Sequence, residues 1–430
     1  MSEPPSAKRP PVPPGGLLAG IPPELRWSRP LRLPEPLAEC ELSSHLLELT
    51  VPNTHLDEAI CFLGGGTYDH YVPALVDAIA ASVGSRLIAP DSPQPFLQAV
   101  FELQTLFASL AGLGAASAPF ADAPTALVEA IRMAARLTGR RQAVLARALN
   151  PSYRAIAQTL LNPRPIACDE VGYHGGITRP GDVERALSDG TACVVIEQPN
   201  FFGCLEDVPA LAAAAHRNGA LLIAKVDPIS LALLAPPGES GADIAIADTQ
   251  ALGSRPGYGG SSVGLLAARA DLGTALPGWR VERRGEAFEA AGVCASPVAA
   301  DRVVRPVAYL AAVGSDGLAR AARLSVAAAH ELQRRVCSIE GFSPRFRAPF
   351  FKEFAVEAEA DAEEVMEALL ESNILGALPL QPHYPEMENC LLFAATERRT
   401  KADLDLLHHA LELLGDADIG GDFALDSDDA

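Results

Sequence analysis

Two aspartates stand where an open sheet would present its chemistry. The stretch from residue 221 to 264, LLIAKVDPISLALLAPPGESGADIAIADTQALGSRPGYGGSSVG, holds two apolar runs, Leu221–Val226 and residues 242–247. An aspartate closes each run, Asp227 and Asp248, and a glycine-rich turn follows. Short apolar runs closed by polar residues predict parallel strands buried on both faces, whose carboxyl ends carry the ligand site of an α/β sheet. Lysine occurs at only four positions, Lys8, Lys225, Lys352 and Lys401, so a lysine nucleophile must be one of these.

In pyridoxal-phosphate enzymes on such sheets, an Asp at one strand end keeps the pyridinium nitrogen protonated and a Lys past a later strand forms the Schiff base. Asp227 suits the first role by position. After Asp248 the chain continues Thr249, Gln250, Ala251, Leu252, Gly253, with no lysine. Lys225 precedes Asp227 by two residues, which places it deeper in the same strand and farther from the site. The phosphate side is altered too. In SAPFADAPTALVE, Asp122 is a natural N-cap and Pro124 suits the first turn of a helix through Leu137. A capping carboxylate and a missing N–H spoil that helix start as a phosphate cradle.

Two further loops are rich in polar and aromatic residues. CFLGGGTYDHYVP sets three glycines beside Tyr68, Asp69, His70 and Tyr71, and QPNFFG carries Asn200, Phe201 and Phe202 at a strand's carboxyl end. Asn200 could hydrogen-bond a ligand or close an Asx-turn. No G-x-G-x-x-G follows the first strand, no G-x-S-x-G elbow occurs, and no H-E-x-x-H is present. His408 and His409 are helical neighbours about 100° apart, so no metal site is expected.

The elements that must position these residues alternate. Strands at 143–149, 165–168, 192–197, Leu221–Val226, 242–247 and 262–268 enclose helices from 152, at 180–187 and at 208–218, which predicts βαβ units and a mainly parallel sheet. A helix over 96–113 precedes them. Arg280, Arg283 and Arg284 mark a solvated arginine-rich loop, and a helix over 303–336 leads to a strand–helix–strand–helix unit. The expected organisation is a disordered Pro-rich tail (1–20), an arm of short helices (21–74), a large α/β domain (75–310), a C-terminal α+β domain (311–418) and an acidic tail (419–430). Arms of this kind often wrap a partner subunit.

Composition narrows the classes. The 430 residues are 49% hydrophobic and 20% charged with net charge -20, which fits a globular protein and disfavours nucleic acid and anionic membrane. Eight scattered cysteines lack a C-x-x-C pair, no apolar run approaches a bilayer span, and no secretory h-region opens the chain. A cytoplasmic protein with reduced thiols is expected.

The segments NTHLDEAICFLGGGTYDHYVPALVD, LQAVFELQTLFASLAGL, QPNFFGCLEDV, DPISLALLAPPGESGADIAIADTQALG, YGGSSVGLLA and ENCLLFAATERRTKADLD carry a family resemblance over about residues 20–415. The chain resembles subunit 1, the α subunit, of the two-subunit glycine dehydrogenase (decarboxylating), the P-protein of the glycine cleavage system. The resemblance implies a pyridoxal-phosphate type I aminotransferase-like fold and α2β2 pairing. It places pyridoxal phosphate on a lysine of the β subunit and none covalently on this chain. It also implies that the β subunit decarboxylates glycine and passes the aminomethyl group to lipoylated H-protein. This chain would hold no catalytic residue and no metal; Tyr68, Asp69, His70, Tyr71, Asn200, Phe201 and Phe202 would complete the cleft and docking surface. Asp122, Thr125, Asp227, Gln250, Gly259 and Gly260 would line a vestigial cofactor pocket. LIAPDSPQPFLQA, PFADAPTALVE and AFEAAGVCASPVAADR depart from the family's cleft segments. They leave room for a diverged paralogue serving another amino-acid decarboxylase, or for a non-catalytic scaffold.

Overall fold

The computed structural model describes residues 21–26, 29, 32–89, 91–163, 166–257, 262–292 and 298–419. The expected Pro-rich tail, and all but the first residue of the expected acidic tail, lie outside them. The chain divides into two units, Met1–His55 and Leu56–Ala430. In the first, helix α1 (Glu39–Thr50) starts where the Ala38 N–H donates to Glu41 Oε2 at 2.9 Å. Leu42, Leu46, Leu47 and Leu49 on this helix are all exposed.

The second unit carries helix α2 (Ala74–Val83) and is built on a seven-stranded sheet of β1 (Ala115–Phe120), β2 (Gln142–Ala146), β3 (Ala167–Val171), β4 (Thr191–Gln198), β5 (Leu221–Val226), β6 (Ile244–Asp248) and β7 (Gly264–Ala268). Their spatial order is β1-β7-β6-β5-β4-β2-β3. Pairing is parallel from β6 through β3, and β7 runs antiparallel between β1 and β6. The predicted strand over 143–149 ends at Ala146, because Asn150 already caps the next helix by accepting from the Ser152 N–H at 3.0 Å.

Strand alternation divides the sheet's side chains between two cores. Val144, Val194, Leu222, Ala245 and Leu265 pack with α3 (Gln94–Leu110), α6 (Pro180–Ala186) and α7 (Val208–Arg217). Leu145, Val195, Ile223, Ile246 and Leu266 pack with α4 (Ala123–Thr138) and α5 (Pro151–Leu161). This is the mainly parallel α/β sheet that the alternating pattern predicts. Asp122 caps α4 as predicted, accepting from the Thr125 N–H at 2.7 Å.

The helix Ala300–Val336, kinked at Gly314, leads to a four-stranded antiparallel sheet of Phe342–Pro344, Glu353–Ala358, Cys390–Ala394 and Leu378–Pro379. The helices Ala362–Glu371 and Lys401–Ile419 cover it. Ile60–Cys61, expected in the arm, pairs instead with Ile374–Leu375 and so belongs with this C-terminal layer. Among the described residues no helix is long and apolar enough to cross a membrane. No His, Cys, Asp and Glu side chains there group as a metal site.

Candidate functional site

Alternation also carries polar groups to the carboxyl ends of three strands on one sheet face. Along β4, Cys193 and Val195 belong to the α4–α5 core and Glu197 follows; along β5, Ile223 gives way to Lys225 and then Asp227; along β6, Ile246 gives way to Asp248. Lys225 is thus one pleat deeper than Asp227, as expected. Its four-carbon stem nonetheless brings its amine into the wall of the same cavity, so the expectation that it stands away from the site is corrected.

The charges are paired through a buried chain of contacts. Lys225 Nζ lies 2.5 Å from Glu197 Oε1, and Glu197 Oε2 accepts from the Asn150 N–H at 2.7 Å. Asp227 accepts from the Ile229 N–H on Oδ1 at 3.1 Å and faces Lys352 Nζ across 2.8 Å on Oδ2. That second contact is an ion pair outside hydrogen-bond alignment. Lys352 Nζ also lies 2.8 Å from His70 Nε2 and 3.7 Å from the centre of the Tyr68 ring. His70 Nδ1 is 2.7 Å from Glu397 Oε2. An ammonium can only donate, so Nε2 accepts from Lys352 and the ring proton sits on Nδ1, directed at Glu397. The Tyr68 hydroxyl donates to Glu353 Oε2 at 2.8 Å, and Glu353 Oε1 accepts from the Gly65 N–H at 2.5 Å.

These contacts set the ionisation of the cluster. Burial alone would raise Asp227, but the Lys352 ammonium outweighs it and holds the carboxyl below the usual range. Burial would lower Lys225, and the Glu197 carboxylate outweighs it and raises the amine. Glu397 is buried too, yet the hydrogen bonds from the His70 ring and from the Tyr71 N–H, each at 2.7 Å, hold it well below the usual carboxylate range. Glu353 is pushed up to about 7 by burial, only partly offset by the Gly65 and Tyr68 hydrogen bonds. Burial likewise raises Asp248, which accepts from the Gln250 N–H at 2.7 Å.

Gln250, standing where a Schiff-base lysine would follow β6, clamps the glycine-rich loop. Its Nε2 donates to the Tyr68 carbonyl and its Oε1 accepts from the Tyr68 N–H, both at 2.9 Å. Asp69 is fixed by Arg398 at 2.5 Å and Arg399 at 2.9 Å. The three glycines allow close approach: a Cβ on Gly64 would stand 2.0 Å from Glu353 Oε1. Tyr68, Asp69 and His70 are therefore buried within the chain, whereas Tyr71 is 60% exposed.

Asn200 resolves to the Asx-turn alternative. Its Oδ1 accepts from the Phe202 and Cys204 N–H groups at 3.0 and 3.1 Å, and its amide donates to the Gly176 carbonyl at 2.7 Å and Glu206 at 2.8 Å. Phe201 and Phe202 pack in an aromatic cluster with Tyr173, Tyr384 and Phe346. Six of the seven residues expected to complete a cleft or docking surface thus have their side chains engaged inside this subunit. Gly259 and Gly260 lie outside the described residues. Arg280, Arg283 and Arg284 sit on an exposed hairpin, where Arg280 and Arg284 approach Glu282 and Glu289. The seven described cysteines are free thiols.

Lys352 is one of the four candidate lysines but has no predicted place in the pocket, and Glu353, Glu397, Arg398 and Arg399 are not singled out from sequence. The signal was present in FFKEF, where two opposite charges interrupt an apolar run and can be buried only with partners.

The space that remains is lined by Tyr68, Pro199, Asn200, Gly203, Lys225, Asp227, Phe351, Lys352 and Glu353, and measures about 10 Å³. That is at most the room of a single water, roughly 10–15 Å³. Asp227 is already paired, Gln250 is occupied as a clamp, and the α4 N-terminus is capped by Asp122. The described residues beside Asp227 do not fit pyridoxal phosphate.

Residues 16–287 match the glycine cleavage system P-protein family. A probable glycine dehydrogenase (decarboxylating) subunit 1 of Desulforamulus reducens is 34% identical over 91% of this chain and 93% of its own. The corresponding protein of Carboxydothermus hydrogenoformans is 36% identical over 93% and 94%. A crystal structure of glycine decarboxylase (P-protein) of the glycine cleavage system, in inhibitor-bound form, superposes with a TM-score of 0.84 at 36% identity. That match covers 93% of this chain and 94% of the other. Glutamate decarboxylase of Lactobacillus brevis, 12% identical with a TM-score of 0.70, shares the fold. Relatives and superposition agree over nearly the whole length and the family model over residues 16–287: this chain belongs to the P-protein family of the glycine cleavage system.

Proposed function

We propose that this chain is subunit 1 of a glycine dehydrogenase (decarboxylating) and that the decarboxylation chemistry takes place on its companion, subunit 2. The carrying observation is near end-to-end similarity to subunit 1 relatives, at 34% and 36% identity over more than 90% of both chains. The filled pocket supports the division of labour. Among the described residues, the small space beside Asp227 and the pairing of Lys225 with Glu197 and of Lys352 with Asp227 favour cofactor chemistry on a partner. Pyridoxal phosphate, bound to a lysine of subunit 2, would supply the electron sink for loss of the glycine carboxylate. The aminomethyl group then passes to lipoylated H-protein, and the two subunits assemble as α2β2. The part of this chain is structural completion of the assembly. The exposed Tyr71, whose N–H is held by Glu397, is its best-placed contact from the glycine-rich loop.

The test is co-expression with subunit 2, followed by glycine–bicarbonate exchange in the presence of lipoylated H-protein. Exchange requiring both chains is expected. Exchange by this chain alone, or failure of the two chains to associate, overturns the proposal. The altered PFADAPTALVE segment favours a second reading, the same pairing applied to another amino acid. Exchange with alanine or serine in place of glycine distinguishes it.

A further inference from the structure

We infer that Lys352 is a built-in occupant of the cofactor pocket: its ammonium takes the position opposite Asp227 that a protonated ring nitrogen takes in this fold, so the chain excludes pyridoxal phosphate by occupancy as well as by lacking an anchoring lysine. Pyridoxal-phosphate sites pair the pyridinium nitrogen with a carboxylate, and Asp227 at the end of β5 is the carboxylate in that place. Lys352 Nζ stands 2.8 Å from its Oδ2, with only 3% of the lysine side chain and 7% of the aspartate's accessible. The cation enters from the C-terminal layer, one residue before the strand Glu353–Ala358, and does what a bound ring cation would do for a buried carboxylate.

Two further contacts, and the anchoring of the adjoining residue, make it a fitted occupant. The Tyr68 ring lies 3.7 Å from the ammonium, in the place of a stacking surface. His70 Nε2 accepts from it at 2.8 Å and is held in that tautomer by Glu397. The adjoining Glu353 accepts from the Gly65 N–H and the Tyr68 hydroxyl, so the loop that forms one pocket wall is tied to the residue next to the occupant. Around the pair, about 10 Å³ is left. Restoring a lysine after β6 would therefore not restore a cofactor site, because Asp227 would still be taken.

The inference concerns this chain's own pocket and does not depend on the glycine reaction, so the two can fail separately. The experiment uses the full-length chain and reads melting temperature. Lys352→Ala removes the three terminal methylenes and the amine, which together correspond to propylammonium, and leaves Asp227 as an unpaired buried anion. A loss of about 3–6 °C is expected. Millimolar propylammonium should recover at least about half of that loss in Lys352→Ala, with no effect on the wild type or on Lys352→Ala/Asp227→Asn; neutral propanol should not substitute. If Lys352→Ala does not fold, the cycle of Lys352→Met, Asp227→Asn and the double variant decides the matter, the double being more stable than either single. Incubation with pyridoxal phosphate and borohydride should leave Lys225 and Lys352 unmodified in the wild type. An adduct on either lysine, an amine response equal with and without Asp227, or a double variant less stable than both singles, overturns the inference.

Discussion

Replacing Glu353 by glutamine should make the chain's stability less dependent on pH between 5 and 8, and the size follows from the site. Glu353 is fully buried, accepts two hydrogen bonds, and has its carboxyl pushed up to about 7 from 4.5. A folded-state value above the unfolded one means that the folded chain binds the extra proton. The associated stability is complete below about pH 4.5 and is lost as pH rises through 7. The shift, 7 minus 4.5, corresponds to about 3 kcal/mol at roughly 1.4 kcal/mol per unit, an order-of-magnitude figure. In Glu353→Gln the new side chain presents an oxygen to the Gly65 N–H and an amide to the Tyr68 hydroxyl, which can turn to accept, so the contacts survive without the titration. Melting temperatures of wild type and variant at pH 5, 6, 7 and 8 measure it. The wild type should lose several degrees more than the variant from pH 5 to 8. Glu206, also raised to about 7 by burial, leaves a residual slope in Glu353→Gln that Glu206→Gln removes. Parallel curves for wild type and Glu353→Gln refute the reasoning, because a carboxyl that titrates equally in both states contributes no slope.

Three other changes test the packing of the chain. Gly203→Ala places a Cβ 1.6 Å from the Glu353 carbonyl oxygen at a φ of +79°, and should cost more than about 4 kcal/mol, seen as failure to fold or a steep fall in melting temperature. Gly139→Ala, at φ +69° with nothing within 4 Å, should cost only about 1 kcal/mol, which separates steric collision from backbone strain. Asn200→Ala removes four hydrogen bonds inside the subunit and should lower stability by about 2–4 kcal/mol in the isolated chain. An unchanged melting temperature with impaired activity of the assembled enzyme would return Asn200 to the role of ligand contact.

The sheet was legible because its strands are short apolar runs with polar closures, and alternation alone assigns Glu197, Lys225, Asp227 and Asp248 to one face. Asp122 as N-cap and the vacancy for lysine at Gln250 were legible for the same local reasons. What filled the pocket was not. Lys352 reaches Asp227 across 125 positions of sequence, and Glu397 reaches His70 across 327. No period or spacing encodes such contacts; they follow from the docking of the C-terminal sheet on the carboxyl ends of the large one. Asn200 misled in the opposite direction, since a polar residue at a strand's carboxyl end suits a ligand and a tight turn equally until its four partners are known.

The lost anchor and the filled pocket are two physically distinct changes, and their energetics differ. Losing a Schiff-base lysine removes one covalent bond to a cofactor and leaves a buried carboxylate at Asp227 facing an empty, polar cavity. A buried anion of that kind is strongly destabilising, by several kcal/mol, unless a cation or hydrogen-bond donors attend it. An apo subunit thus needs either a neutral residue at Asp227 or a permanent cation beside it. This chain has the second. With Lys352 supplying the cation, His70 and Glu397 orient it, and Gln250 turns the former anchoring position into a clamp on Tyr68. The polar groups of a catalytic cleft become the interior cross-links joining the glycine-rich loop, the large sheet and the C-terminal sheet. A chain built this way holds its loop geometry through its own side-chain cross-links.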